Sequence, residues 1–145
     1  MSQDDIFESL RVLVVDDEDK AVAAVSSWLI QKGADVRRAL TAADALEALH
    51  QWQPQIVWLD IYLEAGSERL ERRLKRMAHE HWGGVLLLEE LPRLRPQPDL
   101  IVATGSIGNV MSVKAIAGFD FELLGKPLDL AQAISTLRRL AERHR

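Results

Sequence analysis

Acidic side chains collect where apolar runs stop. In RVLVVDDEDK (residues 11–20) four aliphatic residues lead into Asp16 and Asp17, with Glu18 and Asp19 behind them. QIVWLD (55–60) ends on Asp60, DLIVAT (99–104) on Thr104, and FELLGKP (121–127) on Lys126 followed by Pro127. If those runs are neighbouring strands of one parallel sheet, their carboxyl ends open into a common crevice. Three carboxylates in one crevice cannot all stay charged without a compensating cation. Oxygen-only donors select a hard cation, and Mg2+ binds through a few carboxylates together with water and phosphate oxygens. Lys126 adds a fixed positive charge and Thr104 a hydroxyl donor. A carboxylate flanked by Mg2+, a lysine and a hydroxyl is equipped to accept a phosphoryl group in line. Asp60 is the candidate nucleophile because it alone ends the central strand. An acid at the start of a helix also serves as a cap, so Asp16 and Asp17 acquire a metal role only through Asp60 and Lys126.

The elements that must hold these residues are readable from periodicity. RVLVV, ADVRRAL, QIVWLD, DLIVAT and FELLGK read as short strands, and helical patterns lie between them. Residues 18–32 space Val22, Val25, Trp28 and Leu29 as one helix face that stops at Gly33. Thr41 caps AADALEALHQW, which Pro54 ends. Asp129 caps a last helix carrying Leu130, Ala133, Ile134, Leu137 and Leu140. Alternating strands and helices predict an α/β fold, a doubly wound five-stranded parallel sheet, and the near-continuous apolar runs suit central strands. Trp28 and Trp58 fall on apolar faces and are expected in the core.

One region breaks the alternation. Residues 64–82 form an inserted segment far longer than the roughly 2–6 residues of a usual strand-to-helix loop. Within it SERLERRLKRMAHEHW (67–82) predicts an additional helix, with Leu70, Leu74, Met77 and Trp82 as an apolar stripe and Arg69, Arg72, Arg73, Lys75 and Arg76 around it. GGVLLLEELPRLRP (83–96) then predicts one short helix despite Pro92. The stripe either packs on its own domain or forms a partner or self-association surface that gates Asp60. His79 and His81, two apart on a helix, face different ways and read as surface residues.

The bulk numbers bound the rest. The chain has 145 residues, enough for one domain that buries about two thirds of its unfolded surface. Its net charge of −4 argues against nucleic acid or an anionic membrane as direct partner. There is no cysteine, which removes disulfides, thiolate metal sites and cysteine nucleophiles. No apolar run is long enough to span a bilayer, MSQDDIFESL lacks a signal-like core, and a cytoplasmic location is expected.

VLVVDDE, VWLD, IVATG and GKPLD, in that order, resemble the four signature segments of the CheY-like receiver domain of two-component response regulators. The likeness runs from about Arg11 to the last helix. It implies a flavodoxin-like sheet of strand order 2-1-3-4-5, with the additional helix lying between strand 3 and helix 3. Residues 1–145 would be a single receiver domain, 1–9 being an N-terminal extension. The resemblance makes Asp60 the phosphoacceptor, loaded from a phosphohistidine on a sensor histidine kinase or histidine phosphotransfer protein. It places Mg2+ on Asp16, Asp17, Asp60 and the backbone carbonyl of Tyr62. Lys126, often held by a cis bond before Pro127, would pair with the phosphoryl group, and Thr104 would shift toward it and carry the signal. Such a domain phosphorylates and dephosphorylates itself rather than turning over a separate substrate. Its output runs through a downstream protein or an output domain beyond these residues, with homodimer formation left open.

Three positions depart from the family pattern. Leu123 stands where a switch aromatic is usual, three residues before Lys126, with Phe119 and Phe121 nearby. Glu64 replaces the usual proline four residues after Asp60, which predicts a more mobile loop and an extra acid near the metal. The glycine-containing start of the third helix falls at Gly83 and Gly84, so the insert lies wholly in the loop beside Asp60. These departures motivate a rival, a phosphorylation-independent interaction module of the same fold. A small aspartyl-phosphate hydrolase would need a general acid–base, for which only Glu64 is available.

Overall fold

A computed structural model describes residues 3–16, 20–78, 81–105 and 120–145. A 3-10 turn, Gln3–Phe7, precedes β1 (Arg11–Val15), α1 (Lys20–Gln31), β2 (Asp35–Ala39), α2 (Ala42–Gln51) and β3 (Ile56–Leu59). Then come α3 (Glu68–Arg76), α4 (Gly84–Glu90), a second 3-10 turn (Leu91–Arg93), β4 (Asp99–Thr104), β5 (Glu122–Gly125) and α5 (Leu130–Glu142). All strand pairs are parallel and the order is β2-β1-β3-β4-β5. This is the expected flavodoxin-like sheet, and α3 is the helix added between β3 and α4.

Alternation along the strands divides the core in two. Leu13, Val15, Val57, Leu59, Leu100 and Val102 point to the face covered by α2, α3 and α4. Val12, Val14, Ile56, Trp58, Ile101, Ala103 and Leu124 point to the other, covered by α1, α5 and the first 3-10 turn. Both faces of the central strands are therefore apolar, which explains why those strands read as unbroken aliphatic runs. Residues 3–7 belong to this packing: Phe7 is fully buried, and Ile6 and Leu10 join it.

Helix ends follow local chemistry. The Thr41, Ser67 and Asp129 side chains accept the backbone N–H three residues on, from Asp44, Leu70 and Gln132. The segment 83–96 is not one helix, because Pro92 lacks the N–H that α-helix continuation needs. The chain tightens to 3-10 geometry at Leu91 instead. The additional helix stops at Arg76, short of Trp82, and Ala78 lies at φ 58 beyond its end. Trp58 is in the core as expected, whereas Trp28 is only half-buried, its ring edge-on to Phe7 at 5.0 Å. Leu70 and Leu74 are buried in the α2–α4 face of the core, with Met77 and Trp82 packed against it. The apolar stripe of α3 is thus consumed by its own domain.

Candidate functional site

Two backbone bonds across strand ends set the site. The Asp60 N–H donates to the Val15 carbonyl at 2.9 Å, placing Asp60 beside Asp16. The Lys126 N–H donates to the Thr104 carbonyl at 3.0 Å, placing Lys126 beyond β4. The Lys126 ammonium then reaches across the crevice to Asp16 Oδ2 at 3.0 Å and Asp60 Oδ2 at 3.2 Å. The Asp16 side chain is 1% exposed, that of Asp60 13% and that of Lys126 19%. Away from bulk water such charges interact far more strongly than surface pairs do. Asp60 Oδ1 accepts the Tyr62 N–H at 3.0 Å, a local turn that fixes the carboxylate's orientation. Thr104 is buried at the end of β4, and the Lys126–Pro127 bond is cis. Asp16, Asp60, Thr104 and Lys126 are therefore gathered at one end of the sheet; Asp17, like His79 and Phe119, lies outside the described residues.

The response regulator receiver domain family matches residues 12–138 of this chain. The chain belongs to that family. The nitrogen assimilation regulatory protein NtrX of Azorhizobium caulinodans is 27% identical over 132 residues, which are 90% of this chain and 26% of that protein. The chain thus spans about a quarter of that relative's length. The crystal structure of the NtrX receiver domain from Brucella abortus is 28% identical, covers 90% of this chain and 98% of its own, and superposes with a TM-score of 0.68. A CheY-like receiver domain from Methanospirillum hungatei shares the fold at 24% identity and a TM-score of 0.69, covering 92% of this chain and 94% of its own.

In this receiver domain the oxygen donors gathered at the strand ends are the Asp16 and Asp60 carboxylates, with no His or Cys beside them among the described residues. Among the described residues no group of three or more His, Cys, Asp or Glu forms a metal site, Asp17 being outside them. The chemistry of this donor set fits Mg2+, a hard ion held by one or two carboxylates with carbonyl and water oxygens completing its shell.

The loop after Asp60 differs from the mobile one expected from Glu64. Glu64 pairs with Thr41 in an isolated parallel bridge, and the Ala42 and Ala43 N–H groups donate to the Glu64 and Ala65 carbonyls at 2.8 and 2.9 Å. On the other side the Gly83 and Gly84 N–H groups donate to Leu63 and Ile61 carbonyls at 2.8 and 3.1 Å. The loop is laced to the first turns of both α2 and α4. The Glu64 side chain is exposed and lines a cleft of about 480 Å3 with Tyr62, Leu63, Ala65, Glu71, Lys75 and His81.

Contact with the loop explains the glycine pair. A Cβ on Gly84 would lie 2.7 Å from Ile61 Cα and 3.1 Å from the Asp60 carbonyl, and one on Gly83 would lie 2.3 Å from the Leu63 carbonyl. Backbone cannot yield as a side-chain tip does. Gly84→Ala is expected to cost about 1–3 kcal/mol through overpacking, read from urea unfolding midpoints. A midpoint equal to that of the wild type would show that the loop stands off α4.

One feature escaped sequence reasoning. Arg38, on edge strand β2, donates to the Asp16 carbonyl at 3.1 Å and so braces the β1 end from outside the signature segments. Adjacent arginines on an exposed strand offer no cue to that contact. The switch position also resolves. Leu123 pairs with Val102 in an unbroken β4–β5 register, so no bulge moves an aromatic into its place. Phe121 is buried in the core two residues earlier on the same strand face.

Proposed function

We propose that Asp60 accepts a phosphoryl group from a phosphohistidine on a sensor histidine kinase or histidine phosphotransfer protein. The observation that carries this reading is the Lys126 ammonium joining the Asp16 and Asp60 carboxylates at the strand ends. An Asp60 carboxylate oxygen attacks phosphorus in line. The P–N bond to the imidazole breaks, its electron pair stays on the departing ring, and the new P–O bond makes an acyl phosphate. Lys126 is poised to follow the charge from the Asp60 carboxylate to the phosphoryl oxygens. The buried Thr104 hydroxyl is the donor for one of those oxygens once they arrive. Held by Asp16, Asp17, Asp60 and the Tyr62 carbonyl, Mg2+ would supply neutralisation of the phosphoryl charge. Attack of water on the same phosphorus breaks the P–O bond to Asp60, releases inorganic phosphate and returns the free carboxylate, so the domain resets itself.

On this reading residues 1–145 act as one receiver domain in the cytoplasm. Its output passes through a downstream protein or an output domain, a homodimer being one form the active state could take. Leu123 in place of the aromatic favours a second reading, a phosphorylation-independent interaction module. One titration separates them. Beryllofluoride with Mg2+, which mimics the acyl phosphate, is expected to change the fluorescence of Trp58, two residues from Asp60 on β3. The response is expected to vanish in Asp60→Asn. No response in the wild type, or an equal one in the variant, would overturn the phosphoacceptor reading.

A further inference from the structure

Helix α3 spends its apolar side chains on its own core, so what it shows to solvent is charge. Leu70 and Leu74 are buried, while Arg69, Arg72, Arg73, Lys75 and Arg76 are exposed. Five basic residues stand against Glu68 and Glu71, a net charge of +3 in nine residues of a chain whose total is −4. The rest of the molecule therefore carries −7, and the patch is the reverse of its surroundings.

Little of that charge is neutralised among the described residues. Arg73 pairs with Glu89 of α4, and Arg72 lies 3.9 Å from Glu68. Arg69, Lys75 and Arg76 make no ion pair among the described residues. Arg69 with Arg72 and Arg73, and Arg72 with Arg76, are like charges three or four apart, an arrangement that destabilises a helix. Anchoring by Leu70 and Leu74 and the Ser67 cap hold α3 against this repulsion. Arg73, Lys75 and Arg76 suit the helix C-terminus, but the cations outnumber the described acids beside them and leave Arg69, Lys75 and Arg76 for the acids of a partner.

We propose that the exposed basic face of α3 is a docking surface for a second protein that presents a cluster of Asp and Glu side chains. A membrane is disfavoured because interfacial helices insert an apolar face, and that of α3 is buried. A duplex is disfavoured because the remainder of the chain carries −7 and repels the phosphate backbone. The surface sits on the segment that begins seven residues after Asp60, and Lys75 and Glu71 line the cleft shared with Tyr62–Ala65. A bound partner would thus rest against the loop leading from Asp60. The proposal does not depend on phosphorylation of Asp60.

The test uses a labelled 20-residue peptide rich in Glu and Asp, with its Gln and Asn counterpart as control, read by fluorescence anisotropy. The wild type is expected to bind the acidic peptide alone, with affinity falling about tenfold between low and physiological salt. R69Q/R72Q/K75Q/R76Q is expected to lose about tenfold in affinity at low salt with a circular dichroism melt no lower than that of the wild type, because glutamine keeps helix propensity and relieves the like-charge repulsion. Should that variant fold poorly, the single substitution Arg76→Gln is expected to weaken binding about threefold. Equal binding by wild type and folded variants would overturn the proposal. So would tighter binding of a 20-base-pair duplex or phosphatidylglycerol vesicles, or sedimentation showing that the basic face instead joins two copies of this chain.

Discussion

With Asp60 as the proposed phosphoacceptor, Lys126→Met is expected to lower the rate of its phosphorylation by about 100- to 1,000-fold, the cost of removing one preorganised charge at a developing anion. The substitution keeps an unbranched chain as far as the position of Cε and removes the ammonium that lies 3.0 Å from Asp16 and 3.2 Å from Asp60. The Asp16 and Asp60 carboxylates then both lose the ammonium they share. In a fully buried pair this loss costs about 3–5 kcal/mol; here the crevice admits some water, so a smaller destabilisation is expected. Added Mg2+ supplies the missing positive charge, so the stability deficit shrinks as its concentration rises. Rates measured with a small phosphodonor such as phosphoramidate, beside urea unfolding with and without Mg2+, read both effects. A rate within threefold of the wild type would remove Lys126 from the reaction.

Phe7→Ala destabilises the domain by about 3–5 kcal/mol, the range for an aromatic deleted from a packed core. Phe7 is fully buried between α1 and α5, edge-on to Trp28, with the Arg138 guanidinium 5.8 Å from its ring and 5.3 Å from that of Trp28. Ile6 and Leu10 complete the same cluster, and the Ser9 N–H donates to the Gly33 carbonyl at 2.9 Å. The urea midpoint reports the change, and Trp28 fluorescence reports the lost ring contact. An unchanged midpoint would mean that residues 3–10 are an appendage, as a segment set apart from the sheet would be.

That contrast shows where sequence reasoning stopped. DDIFESL before β1 has too few residues for a period, so nothing in its pattern says that Phe7 is fully buried. The strands were readable because a central parallel strand must be apolar on both faces, and RVLVV and QIVWL are. The caps were readable because Thr41 and Asp129 satisfy donors only three residues away. The site residues were readable for the same reason: each directly follows or ends an apolar run, and strand ends converge once the order is known. Trp28 misled because helical spacing marks a face without saying how deeply that face is covered.

The sequence by itself determined the parallel α/β sheet, the ends of its strands and therefore the acids and lysine that meet there, since these depend on periods and caps spanning a few residues. Only the tertiary structure decided what covers each face. It put the α3 stripe into the domain's own core, laid the Asp60 loop against Gly83 and Gly84, brought Arg38 to the Asp16 carbonyl and left Leu123 at the switch position. Periodicity names an apolar side but not its neighbour, because burial is settled by contacts between residues far apart in the chain.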